Sequence, residues 1–173
     1  NGGMISGSYS AGKVTGGSYA GGFIGGTDNV DNIIASYFDI DSSGQQNGSG
    51  DGSSITGLTG LSASGSDPYS QSSYSNFDFD TTWYMIDGST RPFLQWEYST
   101  TITNAHQLQL MAKDLGAQYT LATNIDMTGY DMTKGGFLPV GSSGTPFIGS
   151  LDGKGYVISN LSITGSPTDT VGL

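Results

Sequence analysis

Two Asp-x-Asp pairs, Asp39/Asp41 and Asp78/Asp80, are the residues best suited by type to acid–base chemistry. Residues two apart on a strand share a face, so either pair could present two carboxylates together. Glycoside cleavage asks for more: two carboxyl groups at a set separation over a groove, one with a raised pKa. The spacing supplies no such groove, so solvated turn residues are the better account and no catalytic residue is assigned. Asp39-Ile40-Asp41-Ser42-Ser43-Gly44 opens like a calcium loop, with oxygen donors at alternate positions and glycine sixth. Its twelfth position, however, is Gly50 where a bidentate Glu is required, and no flanking helices are signalled. No metal ligand and no cofactor are therefore expected. His106 is the only histidine, and a serine triad would have to use it. Near the start of a helix it reads as a surface residue.

The aromatic residues Trp83, Tyr84, Phe93 and Trp96 offer a different chemistry, stacking on sugar rings, with Trp83 and Trp96 as the possible glycan contacts. The plainer reading is a cluster that shields an apolar core. Asn47-Gly48-Ser49 and Asn160-Leu161-Ser162 match the glycosylation sequon, although Asn160 also suits a corner of the chain where its side chain bonds the backbone.

The elements that would hold these residues are short. Glycine fills 29 of 173 positions while Lys and Arg together number 5, so Ser, Thr, Asn and Gly carry the solubility and tight turns must be frequent. A formal charge of −10 repels phosphate backbones and anionic lipid, which excludes nucleic acid as a partner class and leaves no basic patch for a membrane surface. With no cysteine there is no disulfide, thiolate zinc site or thiol nucleophile. No stretch approaches the length of a membrane span, and Asn1-Gly2-Gly3-Met4 has no signal-peptide pattern. The chain reads as a segment of something longer.

Residues 1–35 repeat on a spacing of nine or ten: Gly7-Ser8-Tyr9 returns as Gly17-Ser18-Tyr19, and apolar anchors recur at Ile5, Val14, Phe23-Ile24 and Ile33-Ile34. Short strands bent by glycine at that interval suit the coils of a solenoid. Antiparallel hairpins of an open sheet are the rival reading. Residues 36–98 form a loop-rich excursion with an aromatic end, in which Pro92 before Phe93 and Leu94 predicts an edge strand. Residues 99–173 carry a helix over Ala105–Leu115 and further coils. Asn104 is its N-cap, Gln107 completes a capping box, Gly116 is a left-handed stop, and Leu108, Met111 and Leu115 make one apolar stripe. Later, Asp152-Gly153-Lys154-Gly155 predicts a turn into the strand Tyr156-Val157-Ile158. The three blocks are expected to form one continuous unit.

Gly21-Gly22-Phe23-Ile24-Gly25 resembles the GLUG motif of large secreted proteins related to filamentous haemagglutinin, with Phe23 at the usual Leu. Ser36-Tyr37-Phe38-Asp39, Ser43-Gly44-Gln45, Phe77-Asp78-Phe79, Trp83 and Arg91-Pro92-Phe93-Leu94-Gln95-Trp96 are similar in order to the segment that follows GLUG repeats, where the family often has Trp at Phe38. Tyr119-Thr120-Leu121-Ala122, Asn124-Ile125-Asp126, Phe147, Gly149, Asp152-Gly153, Ile158 and Leu161 look like the start of another unit. The resemblance spans nearly the whole chain. It implies an all-β, right-handed parallel β-helix, a β-solenoid with one short lateral α-helix, together with export and a role as an adhesin or extracellular filament. Thr168-Asp169-Thr170-Val171-Gly172-Leu173 resembles the beginning of a GLUG-like strand that Asn1-Gly2-Gly3-Met4-Ile5 could continue, which predicts a tandem repeat or head-to-tail stacking with further copies. The expected function is structural or adhesive at the cell surface. The competing classes are a glycan-binding module and an exported polysaccharide-processing enzyme.

Overall fold

The computed structural model describes residues 3–26, 32–164 and 172–173, so most of the GLUG-like strand expected at Thr168–Leu173 and the first two residues lie outside the described residues. The chain divides into two compact units, Asn1–Asp78 and Phe79–Leu173. The division falls inside the excursion read from the sequence as residues 36–98.

In the first unit, β1 (Ile5–Ser6) pairs with β3 (Ile33–Ile34), and β2 (Tyr9–Ser10), β4 (Ser36–Asp39) and β5 (Leu58–Leu61) form a parallel sheet with β4 at its centre. All four residues of β4 are buried, since both edges and both faces of the strand are covered. Tyr37 points to an aromatic layer, 5.0 Å from the Tyr74 ring and 5.1 Å from Phe77, with Tyr74 and Phe77 themselves stacked at 5.2 Å. The Tyr74 hydroxyl donates to Pro68 O at 2.7 Å, which satisfies its polar end. On the other face, Phe38 occupies space that glycines leave open. A Cβ on Gly22, Gly48 or Gly60 would stand 3.0 Å or less from its ring carbons. After β4 the short α1 (Ile40–Ser43) is closed at its end by Gly44, whose φ of 71° is the left-handed conformation glycine adopts without a Cβ clash.

In the second unit a hairpin of β6 (Trp83–Tyr84) and β7 (Phe93–Leu94) is antiparallel, and Pro92 leads into β7 as an edge strand permits. Next come β8 (Thr101–Ile102), α2 (Ala105–Gln109) with a 3₁₀ turn over Leu110–Lys113, β9 (Gln118–Leu121), β10 (Ile125–Asp126), β11 (Ser150–Asp152) and β12 (Ile158–Ser159). β9 lies between β11 and β8, and β10 pairs with β12, all parallel. Ile102, Leu108, Met111, Tyr119, Leu121, Ile125, Met127, Phe137 and Val140 close into one core. Full burial of a Leu or Ile side chain of this kind stabilises the fold by about 2 kcal/mol each.

The right-handed parallel β-helix expected from the sequence is not what forms. Six of the seven strand pairings are parallel, yet they sit in five small separate sheets of two or three strands, one of them antiparallel, and no continuous wound sheet runs through the described residues. The strands span two to four residues each, because glycine turns and long excursions interrupt the backbone ladder before it can extend. The hairpin β6–β7 reverses direction altogether. The helix also ends sooner than predicted. Its last turn tightens to 3₁₀ geometry and stops at Lys113, with Asp114 extended at φ −142°, while Gly116 is not among the positive-φ glycines. Among the described residues, no helix is long and apolar enough to cross a membrane.

Candidate functional site

The first pair of candidate carboxylates is held in structural contacts. Asp39 is the N-cap of α1: its Oδ1 accepts from the amides of Asp41 at 2.9 Å and Ser42 at 3.0 Å. That is how a cap satisfies amides at the start of a helix, and it replaces the calcium-loop reading of Asp39–Gly44. Asp41 accepts from the Ala63 amide through Oδ2 at 2.8 Å. Asp78 and Asp80 are exposed, in the first and second unit respectively, and Asp80 lies in a turn.

His106 lies in the first turn of α2, with Nδ1 3.0 Å from Glu97 Oε2 and its ring edge-on to Phe93 at 5.4 Å. It borders an open groove lined also by Thr103, Asn104, Ala105, Asn124, Ile125 and Asp126. The polar side chains of that groove serve the fold. Asn104 Oδ1 accepts from the Gln107 amide at 2.9 Å, as an N-cap must, but Gln107 Oε1 reaches the Thr103 amide and hydroxyl rather than the Asn104 amide of a regular capping box. Asn124 Oδ1 accepts from the Val157 amide at 2.9 Å. Asp126 Oδ1 accepts from Asn160 Nδ2 at 2.9 Å and from the Thr128 amide and hydroxyl, and these bonds, the one from Asn160 first, hold its carboxyl below the ordinary aspartate pKa. Asn160, at φ 55°, thus sits at a left-handed corner, although its side chain bonds the side chains of Asp126 and Thr128 rather than its own backbone neighbours. Asn47 of the other sequon is exposed, and its carbonyl accepts from the Gly22 amide at 2.9 Å.

The residues singled out as a glycine motif fall into two groups. Gly21 and Gly22 run beside Asn47–Gly50, joined by bonds from Phe23 N and Ile24 N to Gly48 O and from Gly50 N to Ile24 O. A Cβ on Gly21 would come within 2.3 Å of Gly50 N, and one on Gly22 within 2.4 Å of the Phe38 ring. Phe23 and Ile24 are half-buried, whereas Gly25 is exposed with open space where a Cβ would go. Asp152 accepts from the Lys154 amide at 3.0 Å and pairs with its ammonium at 2.7 Å, which lowers the Asp152 pKa and raises that of Lys154. The turn closes by Tyr156 N to Gly153 O at 2.8 Å. Lys154 and Gly155, not Gly153, adopt positive φ, the pattern of a type I′ turn.

The two candidate sugar contacts are separated by burial. Trp83 is 8% exposed in the hairpin and belongs to the core, so it is not available to a ligand, whereas Trp96 is 77% exposed.

Gln109 and Arg91 are polar side chains that the sequence does not mark as buried. Gln109, 1% exposed, clamps Leu138 with both ends of its amide: Nε2 donates to Leu138 O at 3.1 Å, and Oε1 accepts from Leu138 N at 2.9 Å and from the Tyr130 hydroxyl at 3.3 Å. Arg91, 4% exposed, donates from Nη1 to Asp131 O, and its amide bonds Met132 O at 2.8 Å. A glutamine inside the run Leu108–Met111 was the available signal for the first, since helical spacing alone puts it off the apolar stripe.

Comparison with known proteins gives a partial likeness. The chain is 51% identical over 59 residues to halomucin of Haloquadratum walsbyi. That stretch is 30% of this chain and 1% of halomucin, which is therefore a protein of thousands of residues, and this chain spans only a small fraction of it. No family model matches the chain, and no solved structure matches it.

Proposed function

We propose that this chain is a non-catalytic structural segment of a very large protein displayed outside the cell, where it contributes to a structural or adhesive surface layer. The observation that carries the reading is the use of the acidic side chains: Asp39, Asp41, Asp126, Asp152 and Glu97 each hold a backbone amide or a neighbouring side chain. A hydrolase built on carboxylates needs two of them directed at a shared groove. The partial likeness to halomucin supports membership of a chain of great length. The low content of Lys and Arg and the absence of cysteine accord with an extracellular polypeptide. Further copies or neighbouring segments are the natural partners in this reading, because short parallel sheets end in strands that accept another strand.

Two measurements test it. Antibodies raised against the purified chain should label intact, unpermeabilised source cells; labelling only after permeabilisation contradicts surface display. Incubation with neutral and acidic polysaccharides should release no reducing ends above buffer. Release that disappears in a folded Asp41→Asn or Asp80→Asn variant would establish an enzyme instead.

A further inference from the structure

Trp96, like Tyr19 and Ile148, is a large apolar side chain exposed to solvent among the described residues. Tryptophan is highly buried on average, and an indole 77% exposed is unusual for a residue of its size. Its backbone is nevertheless held firmly. Trp96 is the middle residue of the 3₁₀ turn Gln95–Glu97, which Tyr98 N closes on Gln95 O at 3.2 Å. On one side, Gln95 is fixed by four bonds: its amide to Thr82 O at 2.8 Å, its Nε2 to Phe79 O at 3.1 Å and Trp83 O at 2.9 Å, and its Oε1 from Lys113 Nζ at 2.8 Å. On the other side, Glu97 is fixed to His106. Lys113 in turn lies over the rings of Tyr84 at 5.4 Å and Tyr98 at 5.7 Å. The flanking side chains therefore turn inward and leave the indole alone in solvent on a rigid base.

We propose that Trp96 is a binding platform for the apolar C–H face of an uncharged pyranose ring. A rigidly mounted flat ring loses little freedom when a ligand stacks on it. Within the described residues of Phe79–Lys113, no other large apolar side chain is comparably exposed. A protein interface requires an anchor residue surrounded by further contacts that exclude water, whereas one sugar ring matches the area of one indole. The net charge of −10 disfavours sulfated or carboxylated glycans and selects neutral ones. This inference stands apart from the structural reading, which requires no ligand.

Tryptophan emission provides the test, because Trp83 is already buried and Trp96 is not. Titration with a soluble neutral α-glucan and a soluble neutral β-glucan should shift the emission of the Trp96 component to the blue with at least one of them. Trp96→Ala should weaken binding by about tenfold or more, Trp96→Phe should keep part of it, and circular dichroism should show both variants folded. No shift with either glucan overturns the proposal, as does an equal shift in Trp96→Ala. Equal or tighter binding of a sulfated polysaccharide overturns it too. If Trp96→Ala changes only the sedimentation of the glycan-free protein, the ring is a protein contact and the sugar platform is wrong, with the non-catalytic reading untouched.

Discussion

In the first unit the Phe38 ring lies where Gly22, Gly48 and Gly60 have no side chains, and Gly57 passes so close to β3 that a Cβ would stand 2.0 Å from Ile33 O. In the second unit the interior is filled by side chains, with Met111, Tyr119, Phe137 and their neighbours packed around α2 and one buried amide, Gln109, bonded inside them. Both build parallel strand pairs from very short strands. Glycine also lets backbones meet in the second unit, where a Cβ on Gly149 would stand 2.0 Å from Ala117 O, so the units differ in what surrounds their central side chains: glycine backbone beside Phe38 in the first, other side chains around α2 in the second.

The largest loss of stability is expected at Gly57. Gly57→Ala should destabilise the first unit by about 3 kcal/mol or more, since backbone must move to admit the methyl group. Gly12→Ala, with nothing within 4 Å and no positive φ, should change stability by no more than about 0.5 kcal/mol. Urea unfolding followed by circular dichroism separates the two outcomes, and equal effects would show that close approach is not what glycine provides. In the second unit Gln109→Leu should cost about 2 kcal/mol because the amide and carbonyl of Leu138 lose their buried partner. A neutral effect there would mean the core accepts an apolar replacement. A smaller loss, about 1 kcal/mol, is expected for Asn104→Ala at the start of α2.

The smallest effect concerns pH. The depressed pKa of Asp126 makes its contribution present above the ordinary aspartate range and lost as pH falls through the folded value. Asn160→Gly keeps the left-handed corner available while removing the bond to Asp126, so the carboxyl resonance of Asp126 should titrate at higher pH than in the parent protein. An unchanged midpoint would assign the shift to Thr128 alone.

Local chemistry was legible in the residues. Asn104 caps the predicted helix, Asp152–Gly155 turns, although the strand after it begins only at Ile158, and Pro92 opens an edge strand, whereas Trp83, named as a possible sugar contact, lies in the core. The winding was not legible. A nine- or ten-residue repeat fixes how often the chain bends but not which strand it meets, and Ile5 pairs with Ile33 across a gap no local signal marks. Gly116 was read as a helix stop because glycine tolerates positive φ, yet the 3₁₀ turn at Leu110–Lys113 had already ended the helix and buried Leu108 through Met111 together. Arg91 stands in the block that carries the resemblance, but no local signal marks it as buried; Asp131, through its carbonyl and its carboxylate at 3.9 Å, and Met132 are among the groups that hold it inside.

Amide hydrogen exchange of the folded protein tests most directly the claim that short parallel pairings hold each unit. The amides of Ser36 and Tyr37, bonded to Gly57 O and Ser8 O, and those of Ile125 and Met127, bonded to Val157 O and Ser159 O, should be among the slowest to exchange. Gly57→Ala should accelerate Ser36 selectively within the first unit. Exchange of these four amides as fast as that of Gly12 or Gly17 would contradict the account.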